Sequence, residues 1–178
     1  MHFILILDRE LGKYAVWSLS TAKPGNGIEE LRDNSSETFW QSDGTQPHIV
    51  NIQFIKKVLI SKVCLYLDYG SDESYTPKKI AFKSGTTLHD LTDITAIEMH
   101  EPVGWVSVSL TDSEDGKNGG PLKTHFLQIR IISMHQNGRD AHIRQIKILG
   151  PRMSPIVMGG VSLSSFKTPE MLQYATVR

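Results

Sequence analysis

Residues 125–149 read HFLQIRIISMHQNGRDAHIRQIKIL, and this stretch decides how we interpret the fold. In its first run, Leu127, Ile129 and Ile131 fall on one face, and the polar residues Gln128 and Arg130 lie between them. The run 144–149 alternates in the same way. A period of two residues is typical of a β-strand with one buried face. The stretch therefore predicts two strands with a polar loop between them.

The loop His135–His142 carries an amide pair, a guanidinium, a carboxylate and two imidazoles. Asn137-Gly138 within it is a strong turn signal, because both residue types tolerate positive φ. Such a density of hydrogen-bonding groups on a loop between strands favours recognition of another molecule. His135, Asp140 and His142 are the clustered candidate metal ligands, but their spacing matches no tight zinc pattern, so no metal site is predicted.

The rest of the chain also favours β-structure. Short apolar or alternating runs separated by Gly-, Pro-, Asp- and Asn-rich turns predict an all-β fold, an antiparallel sandwich or jelly roll. The predicted strands are Ile49–Ile55, Val58–Asp68, Lys79–Lys83, Trp105–Leu110, His125–Ile132 and Arg144–Leu149. Helix is expected only as short turns, at Ile28–Leu31 and near Glu37–Trp40.

A length of 178 residues fits one domain with flanking segments. We divide the chain into an N-terminal segment 1–14, a domain 15–151 and a C-terminal tail 152–178 without a sustained hydrophobic period. The polar, Gly-rich stretch 112–120 is interpreted as the tip of a hairpin. Three tryptophans are expected to anchor the core, as large aromatic side chains usually do: Trp17, Trp40 and Trp105.

Several function classes find no support in the composition. The formal net charge is zero, which gives no electrostatic footprint for nucleic acid or an anionic membrane. The chain has neither a nucleophile elbow nor a phosphate-binding loop, so no catalysis and no cofactor are predicted. Cys64 is the only cysteine, expected to be a buried and inert thiol, and a chain that cannot form an internal disulfide favours a reducing compartment.

A series of ordered motifs follows along the chain: WSLS (17–20), KPG (23–25), LRD (31–33), ETFWQSDG (37–44), QPH (46–48), NIQF (51–54), SDESYTP (71–77) and QNGRD (136–140). Together they resemble the Doc domain family of the anaphase-promoting complex (cyclosome), a ubiquitin ligase. The resemblance covers about Ala15 to Pro151. It implies a galactose-binding-domain-like β-jelly roll, consistent with the strands predicted above.

The resemblance also implies a function. The chain would be a non-catalytic subunit of the ligase, acting with a WD40-propeller coactivator as co-receptor for the destruction box, a short extended degron around Arg-x-x-Leu. It would promote processive ubiquitination of cell-cycle substrates, in the nucleus and the cytoplasm. Its partners would be other subunits of the complex, among them a tetratricopeptide-repeat subunit that receives the end of the tail, here Val177 and Arg178.

By the same resemblance, loops at one end of the sandwich would contact the degron. These residues are Asp72, Ser74 and Tyr75 in one loop, and Asn137, Arg139, Asp140 and His142 in another. We expect Ser74, Asn137, Asp140 and His142 to be exposed loop side chains. An extended peptide offers unpaired backbone N–H and C=O groups, which such side chains can satisfy.

An alternative from another function class stays open at this point. Jelly rolls of this kind often accompany carbohydrate enzymes, so the chain could be a carbohydrate-binding module or an accessory domain of a glycoside-processing enzyme. A hydrolase needs a pair of carboxylates on a concave site. Asp72, Glu73 and Asp140 are the candidates, although adjacent Asp72 and Glu73 would point apart on a strand.

Overall fold

Two antiparallel sheets form the body of the protein. The computed structural model describes residues 8–112 and 119–152. The first sheet has five strands, in the spatial order β2 (Ala15–Leu19), β4 (His48–Ile60), β9 (Leu122–Met134), β6 (Pro77–Gly85) and β7 (Thr92–Glu98). The second has four, in the order β1 (Asp8–Glu10), β11 (Gln145–Pro151), β5 (Lys62–Asp68) and β8 (Val103–Ser109). A short third pair joins β3 (Trp40–Gln41) to β10 (His142–Ile143).

The helices of the described residues are short. They are α1 (Ile28–Arg32) and α2 (Tyr69–Asp72), with 3-10 turns at Gly12–Tyr14, Glu73–Tyr75 and His135–Asn137. The predicted helical turn at 28–31 is confirmed. The one near 37–40 is wrong, because Trp40 begins β3 and its buried indole donates a 2.9 Å hydrogen bond to the carbonyl of Thr21. Within the described ranges, neither helix reaches the length and apolarity needed to cross a membrane.

The hydrophobic core lies between the two sheets, and strands such as β4, β5 and β6 supply alternate side chains to it. The fully buried members from both sheets include Val50, Ile52, Val63, Leu65, Ile80, Phe82, Leu127, Ile129, Ile131 and Ile148. Burying a side chain of this size contributes about 1.5–3 kcal/mol relative to leaving it exposed. The alternation in the sequence therefore specifies both the strands and their inner faces.

Some predicted elements differ from the structure. Val58–Asp68, predicted as one strand, is two, because the chain turns at Ser61 and passes from the first sheet to the second. Trp17 and Trp40 are buried as expected, but Trp105 is 48% exposed, because position 105 lies on the outer face of an edge strand. Cys64 is only half-buried on the outer face of β5, with its Sγ 3.0 Å from Ser107 Oγ.

The predicted flanking segments lie only partly within the described residues. Residues 8–14 of the segment 1–14 belong to the sandwich, where Glu10 of β1 pairs with Leu149 of β11. Residues 113–118 of the predicted hairpin tip at 112–120, and the tail beyond residue 152, lie outside the described residues.

Two connections between the sheets cross at the same end of the sandwich. The chain passes from β5 in the second sheet to β6 in the first through residues 69–76, which we call loop A. It returns from β9 in the first sheet to β11 in the second through residues 135–144, which we call loop B. Because β5 pairs with β11 and β6 pairs with β9, both loops begin and end at neighbouring strand ends. The topology therefore places the two predicted recognition loops side by side.

Candidate functional site

Loops A and B are joined by backbone and side-chain hydrogen bonds. The backbone N–H of His135 and its Nδ1 both donate to the carbonyl of Thr76, at 2.9 and 3.0 Å. Its other ring nitrogen, Nε2, accepts a 3.1 Å hydrogen bond from the backbone of Glu101. Both nitrogens of His135 are thus engaged in structural contacts, and it is not free to bind a metal. Among the described residues, no group of three or more His, Cys, Asp or Glu side chains could hold a metal ion.

A third loop, residues 42–47, and His48 at the start of β4 support loop B. Gln46 Nε2 donates to the carbonyl of Gly138 at 2.9 Å, and His48 Nε2 donates to the carbonyl of Arg139 at 2.6 Å. Ser42 bonds twice to Ala141, donating through its backbone at 3.1 Å and accepting through its hydroxyl at 2.8 Å. These contacts hold the backbone of 138–141, so that the side chains it carries are presented on a fixed frame.

A buried ion pair lies beneath the two loops. The guanidinium of Arg144 donates from Nε and Nη2 to the carboxylate of Asp72 at 3.0 and 2.9 Å. Its Nη1 donates to the carbonyl of Ser36 at 2.7 Å. His142 Nδ1 donates to the same carboxylate at 3.2 Å. The side chains of Asp72, His142 and Arg144 are 4%, 10% and 10% exposed, so this network is shielded from solvent.

The environment of this network favours its charged form. Burial would raise the pKa of Asp72, but hydrogen bonds from His142 and Arg144 and the charge of Arg144 outweigh burial and hold that pKa below its usual range. The hydrogen bond and charge of Asp72 raise the pKa of Arg144. Both groups therefore remain ionised, and each compensates the desolvation of the other.

Three aromatic rings are stacked above the ion pair. The imidazole of His142 lies between the rings of Phe39 and Tyr75, with a centroid distance of 4.2 Å to each. The interplanar angles are 25° and 10°. Tyr75 is the outer ring of the stack and is 38% exposed. The stack therefore holds one face of an aromatic ring at the surface, where it can pack against an apolar side chain.

The sequence-predicted site residues fall into three groups in the structure. Tyr75, Asn137 and Arg139 are exposed. Ser74 and Asp140 are half-buried. The expectation of exposure holds for Asn137 and is wrong for His142, which is buried, while Ser74 and Asp140 are exposed only in part. Asp72 is buried because it pairs with Arg144, and His142 because it bonds to Asp72 and stacks between two rings. The structure brings all seven residues to one end of the sandwich.

Several residues of this site were not predicted. Gly138 packs so tightly against loop A that a β-carbon at this position would collide with the carbonyl oxygen of Ser74. Phe39, Gln46 and His48 stand in the motifs quoted above, but nothing in their spacing indicates that they support loop B. Arg144 carried a usable signal, since it falls on the same face as Ile146 and Ile148, and a charge on an apolar face predicts a buried partner of opposite charge.

The surface formed by loops A and B is open. One hollow of about 240 Å³ adjoins it, lined by Gly44, Thr45, Gln46 and Arg139. A larger hollow, about 530 Å³, lies elsewhere, along β2 and α1, and is lined by Trp17, Leu19 and Ile28 among others. An open polar surface with one exposed ring and a small neighbouring hollow suits an extended peptide better than an enclosed small molecule.

Comparison with known proteins identifies the family. The sequence model described as "Anaphase-promoting complex, subunit 10 (APC10)" matches residues 4–176. The chain belongs to the anaphase-promoting complex subunit 10 family. The subunit 10 of Homo sapiens is 52% identical over 143 residues, which cover 80% of this chain and 75% of that protein. The subunit 10 of Dictyostelium discoideum is 48% identical over 169 residues, covering 95% and 86%.

Membership of the subunit 10 family settles the broad role. The chain is a non-catalytic subunit of the anaphase-promoting complex, as the resemblance to the Doc domain implied. The alternative of a carbohydrate-binding module or an accessory domain of a glycoside-processing enzyme is not favoured.

Solved structures with little sequence similarity share the fold of this subunit 10 family member. The family 32 CBM from C. perfringens NanJ in complex with galactose matches with a TM-score of 0.64 at 12% identity, over 80% of this chain and 99% of that one. The C-terminal domain of a chitobiase from Bacteroides fragilis matches with a TM-score of 0.64 at 18% identity, over 83% and 100%. The prediction of a galactose-binding-domain-like jelly roll is confirmed.

Proposed function

We propose that this subunit is a co-receptor for the destruction box. It would hold the degron together with a WD40-propeller coactivator and so promote processive ubiquitination of cell-cycle substrates, in the nucleus and the cytoplasm. The observation that carries the proposal is the meeting of loops A and B, which places exposed Tyr75, Asn137 and Arg139 together at one end of the sandwich.

The predicted site residues would have different roles in this proposal. Tyr75, Asn137 and Arg139 contact the peptide, with the tyrosine ring against an apolar side chain and the amide against backbone groups. Ser74 and Asp140 are half-buried and add hydrogen bonds at the edge of the contact. Asp72 and His142 are positioning residues, since they are buried and act through Tyr75 and Arg144.

A rigid surface suits the recognition of a short, flexible peptide. Ordering an extended peptide costs conformational entropy, so a small polar surface binds it weakly on its own. When the coactivator holds the same peptide, the second contact becomes intramolecular and the effective concentration rises. Fixed loops help, because they add no further ordering cost of their own.

The tail is proposed to anchor the subunit in the complex. Val177 offers a small apolar group, and Arg178 offers a guanidinium beside a carboxylate if it ends the protein. A groove of a tetratricopeptide-repeat subunit with apolar and acidic side chains could bind these features together. Both residues lie outside the described part of the chain, so this assignment rests on the resemblance alone.

The co-receptor proposal is tested by reconstituting the complex with the triple variant Tyr75→Ala, Asn137→Ala and Arg139→Ala. We expect fewer ubiquitins added per binding event on a destruction-box substrate, with assembly of the complex unchanged. The matched control replaces Trp105, another exposed aromatic residue, by Ala, together with Ser107 and Ser109 on the same outer face. Normal processivity in the site variant, or equal loss in both, would rule out the proposed contact.

A further inference from the structure

A second surface lies at the end of the sandwich opposite to loops A and B. Two exposed apolar side chains form its centre, Tyr14 at 48% and Ile55 at 80% exposure. Exposed basic residues surround them, and we call the whole set the cationic surface: Arg9, Lys13, Tyr14, Ile55, Lys56, Lys57 and Arg152. Two hollows of about 490 Å³ each adjoin it and share Arg9 and Tyr14.

An irregularity in β4 creates this surface. The pairing of β4 with β9 is regular up to Gln53 and resumes only at Val58, so the residues between them are displaced from the register. Phe54 remains buried, while Ile55, Lys56 and Lys57 are exposed. Bulges commonly redirect side chains at the periphery of a sheet. Here the displaced residues come beside the 3-10 turn that carries Tyr14.

Among the described residues, the neighbouring carboxylates offset the positive charge of this surface only in part. Asp8 is engaged by Lys62, at 2.8 Å. Glu10 accepts a 2.7 Å hydrogen bond from the backbone of Gly12, which leaves its formal charge in place, so one carboxylate faces five basic residues. Lys13 lies over the ring of Tyr14, with Nζ 5.0 Å from the centroid. In a chain whose formal net charge is zero, five basic residues around two apolar ones form a marked local excess.

We propose that the cationic surface docks an acidic segment of another subunit of the complex, through an apolar or aromatic side chain flanked by Asp or Glu. The charge selects an anionic partner, since complementary potentials favour encounter. Tyr14 and Ile55 select a protein segment, because apolar anchors at the centre of a polar rim are typical of protein interfaces. The inference rests on family membership and not on the co-receptor proposal.

The location of the cationic surface is consistent with such a role. Ala15 begins β2 beside Phe54 near this surface, whereas Leu19 ends β2 beside Val50, towards the opposite end. A partner bound here leaves loops A and B accessible. The chain's own apolar stretch 3–7 reads FILIL and has no acidic residue, so it would leave the basic rim unneutralised.

The first test measures docking of the full chain to an anaphase-promoting complex purified without this subunit. We expect Lys56→Glu with Lys57→Glu to weaken docking about tenfold or more at moderate salt, since rim charges govern encounter. The matched control is Lys78→Glu with Lys79→Glu, which makes the same charge change at two exposed lysines on β6. Unchanged docking of the first variant, or equal weakening of both, would overturn the inference.

The second test identifies the occupant by chemistry. A carbodiimide links a lysine amine directly to a carboxylate, so it joins Lys56 or Lys57 to an acidic residue only if the two are in contact. In the assembled complex we expect links to a segment of another subunit in which Asp and Glu outnumber Lys and Arg. Links only to a second copy of this chain, or no links at either lysine, would overturn the inference. Coverage of the cationic surface by the chain's own residues 3–7 in the assembled complex would also overturn it.

Discussion

The carboxylate of Asp72 and the guanidinium of Arg144 form a buried, bidentate ion pair with N–O distances of 2.9 and 3.0 Å. Asp72 belongs to loop A, and Arg144 ends loop B just before β11. The pair therefore links the two loops beneath the proposed degron surface. Through His142, which bonds to Asp72 and stacks on Tyr75, it also determines where the exposed ring lies.

Replacing Arg144 by Met should destabilise the protein. The substitution leaves the Asp72 carboxylate buried without its main partner, and breaking such a pair typically costs about 3–5 kcal/mol. The free energy of unfolding in urea at pH 7 measures the effect. Arg139→Met is the matched control, since Arg139 is exposed in the same loop and its replacement should cost within about 0.5 kcal/mol. Equal stability of the two variants would mean that the ion pair contributes nothing.

The stability supplied by Asp72 should depend on pH. Its pKa in the folded protein is depressed, so its contribution is present above the unfolded value of about 3.9 and is lost as pH falls towards the folded value. The difference in unfolding free energy between the wild type and Asp72→Asn should therefore shrink from pH 5 to pH 3. A difference that stays constant over that range would contradict the assignment.

Gly138→Ala should separate loops A and B. A β-carbon at position 138 would collide with the carbonyl oxygen of Ser74, and relieving the collision requires a backbone shift that costs about 1–3 kcal/mol. We expect a lower melting temperature and reduced processivity on destruction-box substrates. Gly120→Ala is the control, because open space surrounds that position. Normal stability and processivity of Gly138→Ala would show that the close approach is dispensable.

The isolated chain should bind a destruction-box peptide weakly, with a dissociation constant above about 10 μM, because a small polar surface does not offset the ordering of the peptide. Adding the coactivator in the assembled complex should raise the affinity for the same peptide through effective concentration. Calorimetry on the isolated chain tests the first statement, and a nanomolar value would contradict it.

The strands of the core could be predicted from the sequence because their alternation is regular. Val50 and Ile52, or Ile146 and Ile148, alternate with polar residues, and all four are buried. The short strand β1 was not predictable, since three residues, Asp8–Glu10, show no period and depend on pairing with β11. Tertiary pairing thus decides elements that local pattern leaves undetermined.

The composition of loops A and B indicated a site, but the division of labour within it did not follow from sequence. Asp72 and Asp140 are both acidic loop residues, yet the first is buried in an ion pair and the second is half-buried at the surface. Their difference comes from Arg144 and from the crossing of the chain between sheets, which are long-range contacts. Single-sequence patterns report local periodicity, and although Arg144 indicated a buried partner of opposite charge, nothing local identified Asp72 as that partner.

Direct contact between the degron and loops A and B is the central claim. The measurement is photo-crosslinking in the assembled complex with coactivator and a destruction-box substrate, using a photoreactive amino acid at position 75 and, as control, at position 105. We predict a crosslink from position 75 to the degron that disappears when its Arg and Leu are replaced by Ala, and no degron crosslink from position 105. A degron crosslink from position 105, or none from position 75, would contradict the account.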